Sequence, residues 1–66
     1  LSPRECEVLV QLARGSTTSE IADDLIISKN TVKTHIRRIL RKLEVSNRAE
    51  AVGRAAALGL IPPADQ

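Results

Sequence analysis

The chain has 66 residues, with ten Lys and Arg against eight Asp and Glu, a single Cys, a single His, and no aromatic residue or Met. This length indicates one domain, whose core must be built from Leu, Ile, Val and Ala. A lone Cys excludes an internal disulfide, and one Cys with one His leaves no ligand set for a structural metal site, so we expect no metal and no cofactor.

No apolar run approaches the length needed to cross a bilayer, and no segment resembles a signal peptide. These absences favour a cytoplasmic chain without a membrane partner. Because the chain begins with Leu1 rather than Met, we also expect it to be part of a longer protein whose regulatory region lies elsewhere.

Helix 1 is predicted over residues 3–13. Ser2 has the position of an N-cap and Pro3 the first helical position, while Glu5 follows the cap by three residues and closes a capping box. Gly15 supplies a left-handed stop. The apolar face of this helix consists of Val8, Leu9 and Leu12.

Helix 2 is predicted over residues 18–25, because Thr17 and Glu20 form a second capping box. Its apolar face consists of Ile21, Ala22 and Leu25. A connection of about three residues, 26–28, leads to the next helix without a Gly. Two short helices at this separation match a helix-turn-helix arrangement.

Helix 3 is predicted over residues 29–43, with Ser28 as its N-cap. Apolar residues recur along it at spacings of three and four, at Val32, Ile36, Ile39, Leu40 and Leu43, and this stripe is expected to be buried. Six of the ten cations of the chain lie on its other faces, namely Lys29, Lys33, Arg37, Arg38, Arg41 and Lys42.

No Asp or Glu lies between Ser28 and Leu43 to offset these cations, whereas solvated helix faces usually mix charges of both signs. We therefore expect a polyanionic partner. Unpaired bases usually stack on aromatic rings, which this chain lacks, so the composition favours duplex over single-stranded nucleic acid.

Helix 4 is predicted over residues 48–58, with Asn47 as its N-cap and Gly59 at its end. Its small apolar stripe consists of Ala49, Val52, Ala55 and Ala56. Before it, Glu44 stands where a left-handed Gly or Asn is expected. The sequence thus predicts an all-α domain over residues 1–61, a four-helix bundle that contains a helix-turn-helix, followed by a flexible tail over residues 62–66.

Four segments, SPRECEVL, TSEIADDL, SKNTVKTHIRRILRKL and SNRAEAV, resemble the LuxR-type helix-turn-helix DNA-binding domain, also called the GerE or NarL type, over residues 1–61. The most specific part is the pattern of Thr31, Val32, Lys33 and His35, followed by Lys42 and Leu43. Two features depart from the family pattern. Glu44 replaces a common Gly, and residues 17–19 are less basic than in many relatives.

Four side chains project from one side of the first half of helix 3 at i, i+3, i+4 and i+7, and these are the candidates for reading bases, Asn30, Lys33, Thr34 and Arg37. A helix of this diameter fits the major groove of B-DNA. Lys and Arg can donate to guanine, Asn can pair with adenine, and the Thr methyl can contact thymine. The resemblance implies that these positions face the floor of the groove.

A second set of residues is expected to contact the DNA backbone, which would fix the position of the protein along the duplex without reading the base sequence. These residues are Thr17, Thr18, Ser19, Lys29, Thr31, His35, Arg38, Arg41 and Arg48. The main role expected for the hydroxyls of residues 17–19 is to cap helix 2, and phosphate binding would be an additional role. For His35 the alternative is an imidazole that lies at the surface or packs between helices without contacting DNA.

The resemblance also implies a homodimer contact on helix 4, centred on Ala49, Val52 and Ala56. The alternative is that this face packs only on helix 1. So small a contact predicts a weak dimer in solution that pairs on two-fold related half-sites. RNA polymerase is a further candidate partner for a regulator of this type.

Two other functions stay open at this point. One is a promoter-recognition module like that of a sigma factor, and the other is a helical module whose basic face binds an acidic protein. An enzyme is not expected, because the single His lies in a basic helix without a carboxylate, and no Walker-type loop is present.

Overall fold

The computed structural model describes residues 1–61, and within this range it contains four α-helices and no strand. Their bounds are Pro3–Ala13 for α1, Thr18–Leu25 for α2, Lys29–Leu43 for α3 and Arg48–Ala57 for α4. The predicted all-α class and helix-turn-helix are confirmed, and α4 ends one residue earlier than predicted. The predicted tail, residues 62–66, lies outside the described residues.

The end of α4 is set by hydrogen bonds to its last carbonyl groups. Leu58 is still in a right-handed conformation, whereas Gly59 takes a positive φ of 75°. The N–H of Gly59 donates to the carbonyl of Ala56 at 3.1 Å, and the N–H of Leu60 donates to that of Ala55 at 2.9 Å. This left-handed Gly therefore turns the chain out of the helix.

Reciprocal capping boxes start α1 and α2, as predicted. The hydroxyl of Ser2 accepts from the N–H of Glu5 at 3.2 Å, and the Glu5 carboxylate accepts from the N–H of Ser2 at 2.9 Å. The pair Thr17 and Glu20 repeats this arrangement at 3.1 and 2.8 Å. Each box satisfies two amides that the helix itself leaves without partners.

The starts of α3 and α4 have simpler caps. The hydroxyl of Ser28 accepts from the N–H of Thr31 at 3.1 Å, as its predicted capping role requires. At α4, the side chain of Asn47 accepts from the N–H of Glu50 at 2.9 Å, but the Glu50 carboxylate accepts from the N–H of Ser46 rather than from that of Asn47. The box at α4 is thus displaced by one residue.

The core is aliphatic, and α3 is its central element, because it packs on all three other helices. Of the predicted stripe on α3, Val32, Ile39 and Leu43 are buried, whereas Ile36 and Leu40 at its margins are partly buried against the same cluster. Burying one such side chain stabilises the fold by about 1.5 to 3 kcal/mol. No helix within residues 1–61 is long and apolar enough to span a membrane.

Both helices of the helix-turn-helix end at a residue other than Gly in the left-handed conformation. Ile26 after α2 has a φ of 58° and its surface is 89% exposed, while Glu44 after α3 has a φ of 57°. The left-handed conformation costs an L-residue roughly 1 to 2 kcal/mol. The turn therefore forms without Gly, and the C-terminal ends of α2 and α3 each border a strained residue.

One ion pair joins the start of α1 to the end of α3. Glu5 is 4% exposed, and the same carboxylate oxygen that accepts from Ser2 also accepts from Lys42 Nζ at 2.8 Å. The hydrogen bond from Lys42, followed by that from Ser2, lowers the pKa of Glu5 from 4.5 to about 2. The expectation that no carboxylate offsets the cations of helix 3 is therefore wrong for Lys42, because its partner lies 37 residues away in the sequence.

We expect Glu5→Gln to lower the free energy of unfolding at pH 7 by about 1 to 2 kcal/mol, because a charge-assisted hydrogen bond becomes a neutral one. The folded pKa of Glu5 lies below the unfolded value, so its contribution is present above pH 4.5 and is lost as the pH falls toward about 2. Urea unfolding at several pH values should show the difference between wild type and variant narrowing across this window.

The matched control is Glu7→Gln, since Glu7 is an exposed carboxylate of the same helix whose only described ion pair is with Arg4 at 3.5 Å. Its effect should stay below about 0.5 kcal/mol. Equal effects of the two substitutions would contradict a special role for the Glu5–Lys42 pair.

We expect Glu44→Gly to raise the free energy of unfolding by about 1 kcal/mol, because Gly adopts the left-handed conformation without steric cost. Thermal or urea unfolding measures this gain. The control Glu44→Ala removes the same carboxylate but keeps a Cβ, so it should shift stability by less than about 0.5 kcal/mol. A gain of the same size in both variants would assign the effect to charge instead.

Candidate nucleic-acid interface

The candidate interface is built on the face of α3 that points away from the core. At 100° per residue, this face carries Asn30, Thr34, Arg37 and Arg41, with Lys33 at its margin. All of them are exposed except Thr34, which is partly buried. The structure therefore brings the four predicted base-reading residues together on one surface, and it adds Arg41 one turn further along the same face.

The charge on this face is not offset within the described chain. Only two ion pairs occur in residues 1–61, Arg4 with Glu7 and Lys42 with Glu5. Five exposed cations of α3 consequently have no carboxylate partner among the described residues, and they are Lys29, Lys33, Arg37, Arg38 and Arg41. Such a surface attracts a polyanion over several ångströms.

Thr34 has a constrained role on this face. Its hydroxyl donates to the carbonyl of Asn30, four residues earlier in the same helix, at 3.0 Å. Because the hydroxyl proton is engaged there, the side chain offers an outside partner its methyl group and an acceptor oxygen but no donor. This arrangement fits the prediction that Thr34 contacts a thymine methyl, which stays a prediction.

The first turn of α2 carries the hydroxyl residues predicted to bind phosphate. The hydroxyl of Thr17 is engaged by its capping box, as expected for a cap. The N–H groups of Thr18 and Ser19 have no hydrogen-bond partner within residues 1–61. If a phosphate binds at this helix end, Thr18 and Ser19 are the residues with free donors, and Thr17 acts by holding the turn.

One flank of α3 carries Thr31, His35 and Arg38, which follow one another at spacings of four and three residues. Thr31 and Arg38 are exposed, whereas His35 is partly buried. The Nδ1 atom of His35 is buried and has no hydrogen-bond partner among the described residues. His35 thus combines features of both predicted roles, since its Nδ1 edge packs inward while the residue as a whole stays partly exposed.

Arg48 lies apart from this surface in the chain, because it is the first residue of α4. It is exposed and makes no described ion pair. A cation gains nothing from the dipole at the start of its own helix. Arg48 is therefore free to contact an anion, and no described ion pair joins it to another residue.

The predicted dimer face of α4 is only partly free. Ala49 is exposed, whereas Val52 and Ala56 are partly buried and pack against the core cluster. The residues of α4 that enter the core are Ala51 and Ala55, and the sequence analysis missed Ala51. Both predicted roles of this helix are thus compatible, because Ala51 and Ala55 form its core side, Ala49 lies on its outer side, and Val52 and Ala56 lie between the two.

Gly53 is a residue of α4 that the sequence analysis did not single out. It is exposed, and a Cβ placed on it would meet no atom within 4 Å. Gly in the middle of a helix is destabilising by roughly 0.5 to 1 kcal/mol relative to Ala. Ala49 and Ala57, which are also exposed, lie four residues before and after Gly53. This spacing could have indicated that the outer side of α4 consists of small residues.

Within residues 1–61, no group of three or more His, Cys, Asp or Glu side chains is placed to hold a metal ion. Cys6 is a free, partly buried thiol on α1. On the outward face of α3 the polar groups are cations, one amide and one hydroxyl.

A family profile described as bacterial regulatory proteins of the luxR family, with the short name GerE, matches residues 1–55. Among the relatives, the quorum sensing-dependent transcriptional regulator RpaR of Rhodopseudomonas palustris is 49% identical over 61 residues. That match covers 92% of this chain and 25% of RpaR. The transcriptional regulatory protein DesR of Bacillus subtilis is 49% identical over 59 residues, which cover 89% of this chain and 30% of DesR.

Two solved structures have the same fold. The transcription factor GerE superposes with a TM-score of 0.88 at 38% identity, over 92% of this chain and 91% of that protein. The response regulator ChrA of a heme-sensing two-component system superposes with a TM-score of 0.90 at 44% identity, over 92% of this chain but only 30% of ChrA. The chain thus spans about a quarter to a third of the length of RpaR, DesR and ChrA.

Proposed function

The chain belongs to the luxR family of bacterial regulatory proteins, as a DNA-binding domain and not as an enzyme, and on this premise we propose that it reads a specific duplex sequence with α3. Family membership selects the transcriptional regulator over the two other functions that the sequence left open, a sigma-factor-like module and a protein-interaction module. We propose residues 1–61 as one binding domain.

The observation that carries this proposal is the outward face of α3, where exposed cations lack carboxylate partners within the described chain. In the proposed complex, α3 enters the major groove with its first half toward the bases. Lys33 and Arg37 donate to guanine, Asn30 pairs with adenine, and the methyl of Thr34 contacts thymine.

Phosphate contacts hold this helix in register on either side of the groove. On α2 they come from the free amides and hydroxyls of the first turn, at Thr18 and Ser19, with Thr17 as the cap that holds the turn. The remaining backbone contacts are proposed for Lys29, Thr31, His35, Arg38, Arg41 and Arg48.

We propose that two copies bind two-fold related half-sites and touch through the outer side of α4, at Ala49, Val52 and Ala56. The exposed Gly53 supports this role, since the absence of a Cβ lets a second helix approach closely. The contact is small, so pairing should be weak without DNA. We further propose that this domain acts in the cytoplasm and that RNA polymerase is a partner.

The direct test is selection of bound duplexes from a random library, followed by titration of the selected duplex at two salt concentrations. A short two-fold symmetric motif is expected, with affinity that falls as salt rises. Recovery of no preferred sequence, with equal salt-sensitive binding to every duplex, would contradict sequence reading by this chain.

We expect Lys33→Ala to weaken binding to the selected duplex by roughly 1 to 3 kcal/mol and to flatten the sequence preference, because a base contact is lost. Arg41→Ala should weaken binding to all duplexes about equally and lower the slope of log affinity against log salt by about 1. Arg54→Ala is the matched control, since it removes an exposed cation of α4, outside the proposed interface. An unchanged sequence preference in Lys33→Ala would remove its assignment as a base-reading residue.

We expect Val52→Glu to abolish paired occupancy of two half-sites while single half-site binding is retained, because two carboxylates would meet across the dimer axis. Electrophoretic mobility shifts on one and two half-sites measure this separation. Val52 is partly buried, so Ala49→Glu provides a second variant at an exposed position without a cost to the core. If two copies of each variant still bind the paired half-sites together, α4 is not the dimer contact.

A further inference from the structure

The two ring nitrogens of His35 lie in different environments. Nδ1 is buried and has no hydrogen-bond partner among the described residues. No described residue forms a hydrogen bond with Nε2, and His35 as a whole is only partly buried, so we infer that the exposed edge of the ring is the Nε2 edge. The packing of α3 therefore presents one nitrogen outward and seals off the other.

This difference decides where the ring carries its proton. A proton on Nδ1 would bury an N–H donor without an acceptor, whereas a proton on Nε2 leaves only a lone pair there and places the donor at the surface. An imidazolium would carry both protons and so would bury a charged donor without a partner, which is the costliest of the three states. The geometry selects the neutral ring with its proton on Nε2.

The position of His35 on α3 indicates what this donor meets. It lies on the flank between Thr31 and Arg38, beside the face proposed to read bases. When a helix lies in the major groove, the flank of its reading face borders a phosphate strand. Further along the same flank Lys42 is held by Glu5, so the line of outward donors ends at Arg38.

We propose that His35 binds duplex DNA as a neutral imidazole, donating a hydrogen bond from Nε2–H to a phosphate oxygen, so that it adds affinity without adding to the salt dependence of binding. This inference rests on the proposed function. Arg38, one turn away on the same flank, is the comparison, because a cation that neutralises a phosphate releases a counterion and a neutral donor does not.

The experiment compares wild type with His35→Leu, which fills a similar volume without a donor, with His35→Gln, whose amide nitrogen reaches the place of Nε2, and with Arg38→Gln. Binding to a duplex of random sequence is titrated across salt concentrations, because a phosphate contact does not depend on base sequence. Thermal unfolding of each variant checks that the chain is folded, and ¹⁵N spectra of the wild-type ring identify which nitrogen is protonated.

His35→Leu is expected to weaken binding by about two- to tenfold at every salt concentration, with the salt slope unchanged. His35→Gln should restore affinity to within about twofold of wild type. Arg38→Gln should weaken binding and also reduce the salt slope by about 0.9. The ring spectrum should show the proton on Nε2.

A reduced salt slope in His35→Leu would overturn the neutral donor in favour of a cation, and so would a ring protonated on Nδ1. If Arg38→Gln weakens binding but a folded His35→Leu does not, the contact of His35 is refuted while the proposed function stands. Absence of duplex binding by the wild-type chain would instead refute the proposed function and this inference together.

Discussion

Burial of one side of α3 is the constraint on which the rest of the structure depends. The chain has no aromatic residue to fill space, so its core consists of small and medium aliphatic side chains that require close helix packing. Because α3 packs on each of the other three helices, its apolar stripe fixes their arrangement. The same burial turns the cations of α3 outward, and the fold and the binding surface therefore have one physical origin.

The cations of α3 have two different tasks. Lys42 donates to a carboxylate that also caps α1, and it joins the last turn of α3 to the start of the chain. The five other cations have no such partner within residues 1–61 and are available to an anion. A surface of like charges raises repulsion within the folded state, so fixing the end of this helix to a buried carboxylate helps to keep it in place.

Backbone strain and small residues mark the positions where the fold departs from the most stable choice. Ile26 and Glu44 occupy left-handed positions that Gly would fill at lower cost, and Ile26 also exposes most of its apolar surface. At Gly53 the opposite substitution would be favourable, because a residue with a Cβ would meet open space there and would stabilise the helix. For Gly53 the proposed approach of a second copy provides a reason, and for Ile26 nothing in the described chain does.

The sequence by itself determined the features that depend on neighbours three or four residues apart. These are the helix bounds to within one residue, the N-caps, the apolar stripe of α3 and the surface on which the four base-reading candidates lie. Tertiary structure alone decided the pairing of Glu5 with Lys42, the entry of Ala51 into the core and the different environments of the two nitrogens of His35. Each of these depends on how separate helices pack, and helical periodicity specifies which residues share a face but not which distant residue that face will meet.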